Sequence, residues 1–353
     1  MGSEITYLLR DGNFKKLISA AESNPFPGVI GTFMGRDALS LAVSCLELKM
    51  DDTVVLPAYL CREVLRPFLG RTRVMFYDIM PDLAVEPAAI RQIVAKNKVK
   101  VLMIINYFGF LQPYRKEIKE ICTEHGVILI EDCAHSLLTE GSGDVGDISI
   151  YSFRKILPVP DGGGLKMNLN GTEQSLDFYP RLYSNVLSML IIAKSLLDIK
   201  VDNLSRAGLA DKKKELGRAE PATETCGRVL TLSSFTRNGM GNVSFPEIVG
   251  IRRHDFSYWQ DVAQRTERMA PVFPELSPGV CPLGYPVKIR DRDAVRVRLQ
   301  KEGIFPKVHW NLPEEVGPEH VNSHAMAKQS ITLPLHFELG QREREVIERL
   351  LPS

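Results

Sequence analysis

GVILIEDCAHSLLTEGSGDVGDISIYSFRKILPVPDGGG, from Gly126 to Gly164, holds two apolar runs, each ending in residues that a catalyst can use. Glu131-Asp132-Cys133-Ala134-His135 closes the first and Ser152-Phe153-Arg154-Lys155 the second. Upstream, short apolar runs alternate with longer amphipathic ones: DTVVLP then CREVLRPFLG, RVMFYDI then EPAAIRQIVAKN, VKVLMIINYFG then YRKEIKEICTEHG. Strands rich in Val and Ile that are separated by helices indicate an α/β fold with a mostly parallel central sheet flanked by helices. Ligands of such sheets bind beyond the carboxyl ends of the strands. Pro57, Asn106, Asp132 and Ser152 all lie at such ends, which makes them neighbours in space.

Before these units come a short N-terminal helix, the Pro/Gly-rich NPFPGVIGTF, and GRDALSLAVSCLELK, whose helical spacing starts a helix near residue 37 behind an Asp37 cap. Past Gly164 follow a strand (LKMNL) and the apolar NVLSMLIIAKSLL from Asn185, read as a buried or interface helix. The charged ADKKKELGRAEPATETCGR, broken by Pro and Gly, reads as a flexible loop. From about Ser244 a helix (FPEIVGIRRHDFSYWQDVAQRTERM), a strand (YPVKI), a helix (RDAVRVRLQKEG), a strand (FPKVHW) and a last helix (QREREVIERLL) make a smaller C-terminal α+β domain. The expected division is residues 1–243, an N-terminal segment plus the large α/β domain with 205–228 as its flexible loop, and residues 244–353.

Among the 353 residues, 44 Lys plus Arg nearly cancel 43 Asp plus Glu, so no net field draws the chain to nucleic acid or to an anionic membrane. Small neutral or anionic molecules are the expected ligands. The cysteines at 45, 61, 122, 133, 226 and 281 include no C-x-x-C pair, which argues against a disulfide framework or a structural zinc and for reduced thiols in a cytoplasmic protein. The first residues, MGSEITYLLRDGNFKK, do not read as a secretory signal. Lys194 interrupts the most apolar window, which falls short of the ~20 residues needed to span a bilayer, so no stable membrane insertion is expected.

Two motifs in the opening stretch match by letter alone. Gly141-Ser142-Gly143-Asp144-Val145-Gly146 satisfies G-x-G-x-x-G, yet it leads into a strand instead of a helix, so a glycine-rich turn explains it better than a dinucleotide site. Ser152 to Lys155 satisfies S-x-x-K, but the S-D-N and K-T-G elements of penicillin-binding proteins are missing from the sequence. A third reading uses both strand ends. A lysine that forms a Schiff base with pyridoxal phosphate needs a carboxylate on the ring nitrogen and groups for the phosphate. Asp132 and Lys155 end consecutive strands, Ser152 lies three residues before the lysine, and Gly162-Gly163-Gly164 would let the backbone pass close to the cofactor. Taken singly, Asp132 could cap a helix, Lys155 could be solvated, His135 could be a satisfied buried histidine and Ser152 could bond the backbone.

The chain resembles the DegT/DnrJ/StrS aminotransferases, fold-type I pyridoxal phosphate enzymes that aminate nucleotide-linked keto sugars. The resemblance is carried by Gly35-Arg36-Asp37 before the first helix, Val55-Leu56-Pro57, Glu131 to His135, Gly146-Asp147, Ser152-Phe153, Lys155 and Asp161-Gly162-Gly163. The small domain is similar in Arg252-Arg253, Gly303-Ile304 before Val308-His309, and Leu333-Pro334.

The resemblance implies that Lys155 carries the cofactor and moves the substrate proton, that Asp132 pairs with the ring nitrogen, and that His135 lies near the phenolic oxygen. It puts Ser152 and the helix start at Gly35, Arg36 and Asp37 at the phosphate. The chain departs from the family in four places. Gly35-Arg36-Asp37 stands where Ser-Gly-Thr is usual, and Cys61 replaces the aromatic residue that stacks on the ring, with Tyr59 or Tyr107 as substitutes. The serine-to-lysine spacing is three residues instead of five. The asparagine normally lent by the partner subunit is matched only by Asn238 or Asn242. Tyr107 and His309 are the candidate substrate contacts. The implied activity is transfer of an amino group from an amino acid, glutamate, to a keto sugar nucleotide or related polyol in a two-fold homodimer. The alternatives are pyridoxal phosphate-dependent sugar dehydration, in which family members replace the lysine by histidine, and a non-catalytic protein that keeps the fold as a regulatory or interaction module.

Overall fold

A computed structural model describes residues 14–20, 25–169, 178–204, 229–302, 304–335 and 345, with 178–179 and 197–204 described by backbone alone. The loop 205–228, Gly303, the N-terminal helix before residue 14 and the last helix apart from Glu345 lie outside these residues.

The chain runs through α1 (Lys15–Ile18), β1 (Ile30–Thr32), α2 (Gly35–Cys45), β2 (Thr53–Pro57), α3 (Arg62–Leu65), β3 (Arg73–Tyr77), α4 (Pro87–Lys96), β4 (Val99–Ile105), α5 (Arg115–Glu124), β5 (Ile128–Asp132), β6 (Ile148–Ser152) and β7 (Gly163–Met167). These strands form one sheet in the order β1-β7-β6-β5-β4-β2-β3. The pairings from β6 through β5, β4 and β2 to β3 are parallel, while β7 runs antiparallel to both β6 and β1. Successive residues of a strand point to opposite faces, and the core divides accordingly. Val54, Leu56, Val101, Met103 and Ile130 pack with Ala38, Leu39 and Ala42 of α2. Val55, Leu102, Ile104 and Leu129 pack with Ile90 of α4 and Ile118 and Ile121 of α5. Both faces are covered, which is why every residue of β2 and β6 is buried.

β8 (Phe178–Tyr179), α6 (Arg181–Leu204), β9 (Val229–Leu230) and α7 (Ser234–Asn242) follow. α8 (Phe245–Gln264) starts at a Ser244 cap, whose Oγ accepts the Glu247 N–H at 3.4 Å. β10 (Met269–Pro271), β11 (Tyr285–Ile289), α9 (Arg292–Lys301), α10 (Val321–Gln329) and β12 (Ser330–Leu333) complete the fold. The antiparallel sheet β10-β11-β12 packs Val287, Ile331 and Leu333 against Phe256 and Trp259 of α8.

The expectations at three places need correction. FPKVHW is not a strand; it makes one bridge, Lys307 to Thr332, and the strand beside β11 is β12. Pro306 has no N–H to give a ladder, and the segment instead turns His309 and Trp310 towards the strand ends of the large sheet. CREVLRPFLG forms a single α turn followed by a 3₁₀ turn over 66–68, broken where Pro67 cannot donate. The expected long helix from 244 stops at Gln264, and β1 and α10 add elements too short or too polar to stand out in the sequence. Among the described residues no helix is long and apolar enough to cross a membrane.

Candidate active site

β5 and β6 are neighbours, so their carboxyl ends deliver Asp132 and the turn 153–155 to one place. The Asp132 side chain is buried. Its Oδ1 accepts the Ala134 N–H at 2.8 Å, and the carboxylate makes no other hydrogen bond to a described residue. Burial pushes its pKa up, opposed by the nearby Lys155 charge. Lys155 is half-buried and its ammonium makes no hydrogen bond or ion pair to any described residue. Burial pushes the Lys155 pKa down, opposed by Asp132 and Cys61, which favours the neutral and nucleophilic amine. Cys61 precedes α3 and shares this field, with burial raising its thiol pKa.

The backbone of the lysine turn is fixed on several sides. Phe153 N–H donates to the Gly162 carbonyl at 2.9 Å. The Arg252 guanidinium, buried in α8, donates to the carbonyls of Pro282, Leu283 and Ile156 at 3.2, 3.1 and 3.5 Å. Buried Asp161 accepts the hydroxyls of Ser188 and Ser233 at 2.5 Å each and the Ser233 N–H at 3.2 Å. It thereby joins the end of the turn to α6 and α7.

Ser152 lies against the start of α2. A Cβ on Gly35 would stand 3.7 Å from Ser152 Oγ, and one on Gly163 would meet the Met34 carbonyl at 2.2 Å and the Gly35 nitrogen at 2.6 Å. The triple glycine is thus required first by the close packing of β7 on the β1–α2 turn. The N–H groups of Gly35 and Arg36 sit in the first turn of α2, where the helix dipole favours an anion. Asp37 serves the helix itself, accepting the Met34 N–H at 2.9 Å, and burial raises its pKa to about 6. The Arg36 guanidinium reaches Glu63 at 3.5 Å.

His135 accepts the Phe108 N–H at Nδ1 (3.3 Å), which leaves the proton on Nε2. Burial, then the charge of Lys155, then His309 and Lys307 hold its pKa well below the usual histidine range. Trp310 stacks on it at 5.4 Å and 30°, and His309 approaches edge-on at 5.7 Å while its Nδ1 bonds Thr332 Oγ1 at 2.8 Å. The sequence reading missed Trp310. It is one of only two tryptophans and follows His309, and that was the available signal. Tyr59 and Tyr107 are buried with their hydroxyls engaged, Tyr59 with Ser330 Oγ at 3.2 Å and Tyr107 with the Tyr59 carbonyl at 2.6 Å. Both rings lie within 6.3 Å of Trp310.

Asn238 and Asn242 donate to carbonyls at the N-terminal helix of the same chain, Asn238 to Leu17 at 3.2 Å and Asn242 to Lys16 and Ser19 at 3.1 and 2.9 Å. Asn106 and Glu131 bond to each other. Glu131 Oε1 accepts Asn106 Nδ2 at 2.9 Å and Arg115 at 3.3 Å, and its Oε2 accepts the N–H groups of Val145 and Gly146 at 3.2 Å each. The glycine-rich turn therefore folds around a buried glutamate. Among the described residues no cluster of three or more His, Cys, Asp or Glu could hold a metal ion.

A parallel sheet with Asp and Lys at adjoining strand ends, beside a small antiparallel domain, is the architecture of fold-type I aminotransferases. Residues 26–173, which contain every strand of the seven-stranded sheet, match the model of the DegT/DnrJ/EryC1/StrS aminotransferase family. The chain is 31% identical over 147 residues to the putative pyridoxal phosphate-dependent aminotransferase EpsN of Bacillus subtilis, a match that covers 38% of each chain and so spans well under two thirds of that relative's length. It is 28% identical over 335 residues to UDP-N-acetyl-3-dehydro-alpha-D-glucosamine 3-aminotransferase of Acidithiobacillus ferrooxidans, covering 89% of this chain and 80% of that one. The fold is similar to that of the putative sugar aminotransferase Spr1654 of Streptococcus pneumoniae, with a TM-score of 0.67 at 17% identity, covering 99% of this chain and 90% of that one.

Proposed function

We propose that the protein is a pyridoxal phosphate-dependent aminotransferase that moves the amino group of an amino acid, glutamate, to the carbonyl of a keto sugar nucleotide or related polyol. The observation that carries this reading is the Lys155 amine, half-buried and unpaired among the described residues, beside a buried carboxylate with a free oxygen. Both groups lack the partner that a cofactor ring supplies. The Ser152 hydroxyl, likewise unbonded to any described residue, and the first turn of α2 suit the phosphate. When bound, pyridoxal phosphate carries the amino group and takes up the electron pair left on the substrate carbon.

The remaining work falls to side chains of this chain. Asp132, beside Lys155, would hold a proton on the ring nitrogen. Lys155 Nζ, whose pKa burial lowers, would take the proton from the donor's α-carbon and return it to the same position on the acceptor. Because one lysine serves both halves, the donor product leaves before the acceptor enters. His135 would present Nε2–H towards the ring's phenolic oxygen, with Trp310 fixing its plane. Cys61 would lie beside the ring, where relatives of the family place an aromatic residue. The reading includes a homodimer in the cytoplasm with small-molecule substrates.

The test is spectroscopic. Purified protein incubated with pyridoxal phosphate should show a visible chromophore that borohydride reduces, that glutamate converts to a near-ultraviolet form, and that Lys155→Ala abolishes. A wild-type protein without the chromophore, or a Lys155→Ala protein that keeps it, would sink the proposal.

A further inference from the structure

α2 opens on Gly35, Arg36 and Asp37, and these three divide the work at its N-terminus unevenly. Gly35 lets Ser152 stand against the helix, with Oγ 3.7 Å from where a Cβ would be. Ser152 is 4% exposed and its hydroxyl bonds no described residue, so a buried donor lies beside the first turn without a partner. Asp37 turns its carboxylate to the Met34 N–H. With a pKa of about 6 it is mostly ionised at pH 7, and it places a negative charge beside any anion that binds there. Arg36 is the neighbouring cation that can offset it.

Side chains of a helix lean towards its N-terminus, so a residue of the first turn overhangs the helix end. Arg36 Nη1 stands 3.5 Å from Glu63 Oε2, longer than the about 2.7–2.9 Å of a well-made charged bond. Glu63 has a second partner, with Oε1 3.6 Å from Arg66, so the loss of Arg36 would not strand it. α3 carries Glu63 two residues after Cys61, which lies in the field of Lys155 and Asp132. The guanidinium is thus held at the rim of the same site. We infer that Arg36 is an exchangeable clamp for the phosphate of the cofactor, which competes with Glu63 for the guanidinium. The planar fork can give two parallel N–H bonds to two phosphate oxygens. Ser152 lies three residues before Lys155, so an anion beside it belongs to the molecule that the lysine holds and not to a more distant nucleotide. The inference rests on the proposed cofactor and adds the residue pair that sets its affinity.

Titration of the purified protein with pyridoxal phosphate, and separately with pyridoxal, reads each dissociation constant from the visible chromophore. Arg36→Gln should weaken pyridoxal phosphate roughly 10- to 100-fold, the worth of a charge-assisted contact, and pyridoxal by less than about threefold. Glu63→Gln should act with the opposite sign, tightening pyridoxal phosphate about two- to fivefold, and should have no effect on the Arg36→Gln background. A pair that only held the fold would weaken both compounds in both variants. If Arg36→Gln does not fold, Glu63→Gln decides. The inference is overturned by an Arg36→Gln protein that keeps its affinity for pyridoxal phosphate or loses pyridoxal equally, or by a Glu63→Gln protein that binds no tighter. Weaker binding of uridine diphosphate with pyridoxal phosphate unchanged would assign the arginine to a nucleotide and overturn it as well. In all these cases the wild-type chromophore is intact and the cofactor reading stands; a wild type that forms no chromophore with either compound ends both.

Discussion

Asp132→Asn separates the chemical role of the carboxylate from any structural one. The side chain is 7% exposed, and an amide of the same shape can still accept the Ala134 N–H through Oδ1. In the cofactor-free protein the change removes a buried charge. Burial raises the folded-state pKa of Asp132 above its unfolded value, so its contribution to stability is fully present below the unfolded pKa and is lost as pH rises through the folded one. The ionised carboxylate is therefore a cost to the fold, which the Lys155 charge only partly offsets. The apo melting temperature of Asp132→Asn should equal or exceed that of the wild type. Catalysis should move the other way. Removing one preorganised buried electrostatic partner costs about 10²–10³ in rate, or ~2.7–4 kcal/mol. Single-turnover absorbance changes with glutamate measure this directly, alongside thermal melts of the apo protein. A rate loss below about tenfold would show that Asp132 does not support the ring. A fall in melting temperature that parallels the rate loss would show that the aspartate holds the fold and that the rate follows from unfolding.

Two further perturbations probe how the site is held. Gly163→Ala puts a methyl group 2.2 Å from the Met34 carbonyl; with backbone unable to give way it should destabilise by about 1–3 kcal/mol in urea unfolding and weaken cofactor binding, and an unchanged midpoint would contradict the packing described. Asp161→Asn should flatten the pH dependence of stability. The Asp161 pKa is raised by burial from 3.8 to about 6, so the wild type should gain up to about 3 kcal/mol on going from pH 7 to pH 4 that the variant does not. Identical pH profiles for the two proteins would refute this.

Most of the large sheet was legible because β2 to β6 are compact apolar runs, and β3 and β4 are each followed by a helix of clear period. That the carboxyl ends of β5 and β6, with Asp132 and the turn of Lys155, are neighbours followed from the order of the strands alone. The small domain was less legible. Ser330 to Leu333 is a strand only because β11 is there to pair with it, and Phe305 to Trp310 is extended without being a ladder strand. Long-range partners decide such segments, and local propensity does not record them. The triple glycine was legible as a close approach, but what approaches is the Met34–Gly35 backbone, which only the fold brings near. Trp310 was hidden for the same reason, since its stacking partner His135 lies 175 residues earlier in the chain.

The turn that carries Lys155 shows what the elements around it contribute jointly. Under the proposed function one lysine serves both half-reactions and has to move, and the Lys155 amine forms no bond to a described residue. Mobility of the side chain is useful only if the backbone beneath it does not follow, because an ångström of drift misplaces the proton. The fold meets this need from opposite sides. Arg252 of α8 grips the Ile156 carbonyl directly after the lysine, and Asp161 ties the far end of the turn to Ser188 and Ser233. Gly162, at φ +124°, returns its carbonyl to the Phe153 N–H two residues before the lysine. Each of these groups removes a way for the turn to yield. Substitution at Arg252 or Asp161 would therefore be felt in the positioning of Lys155 as well as in stability.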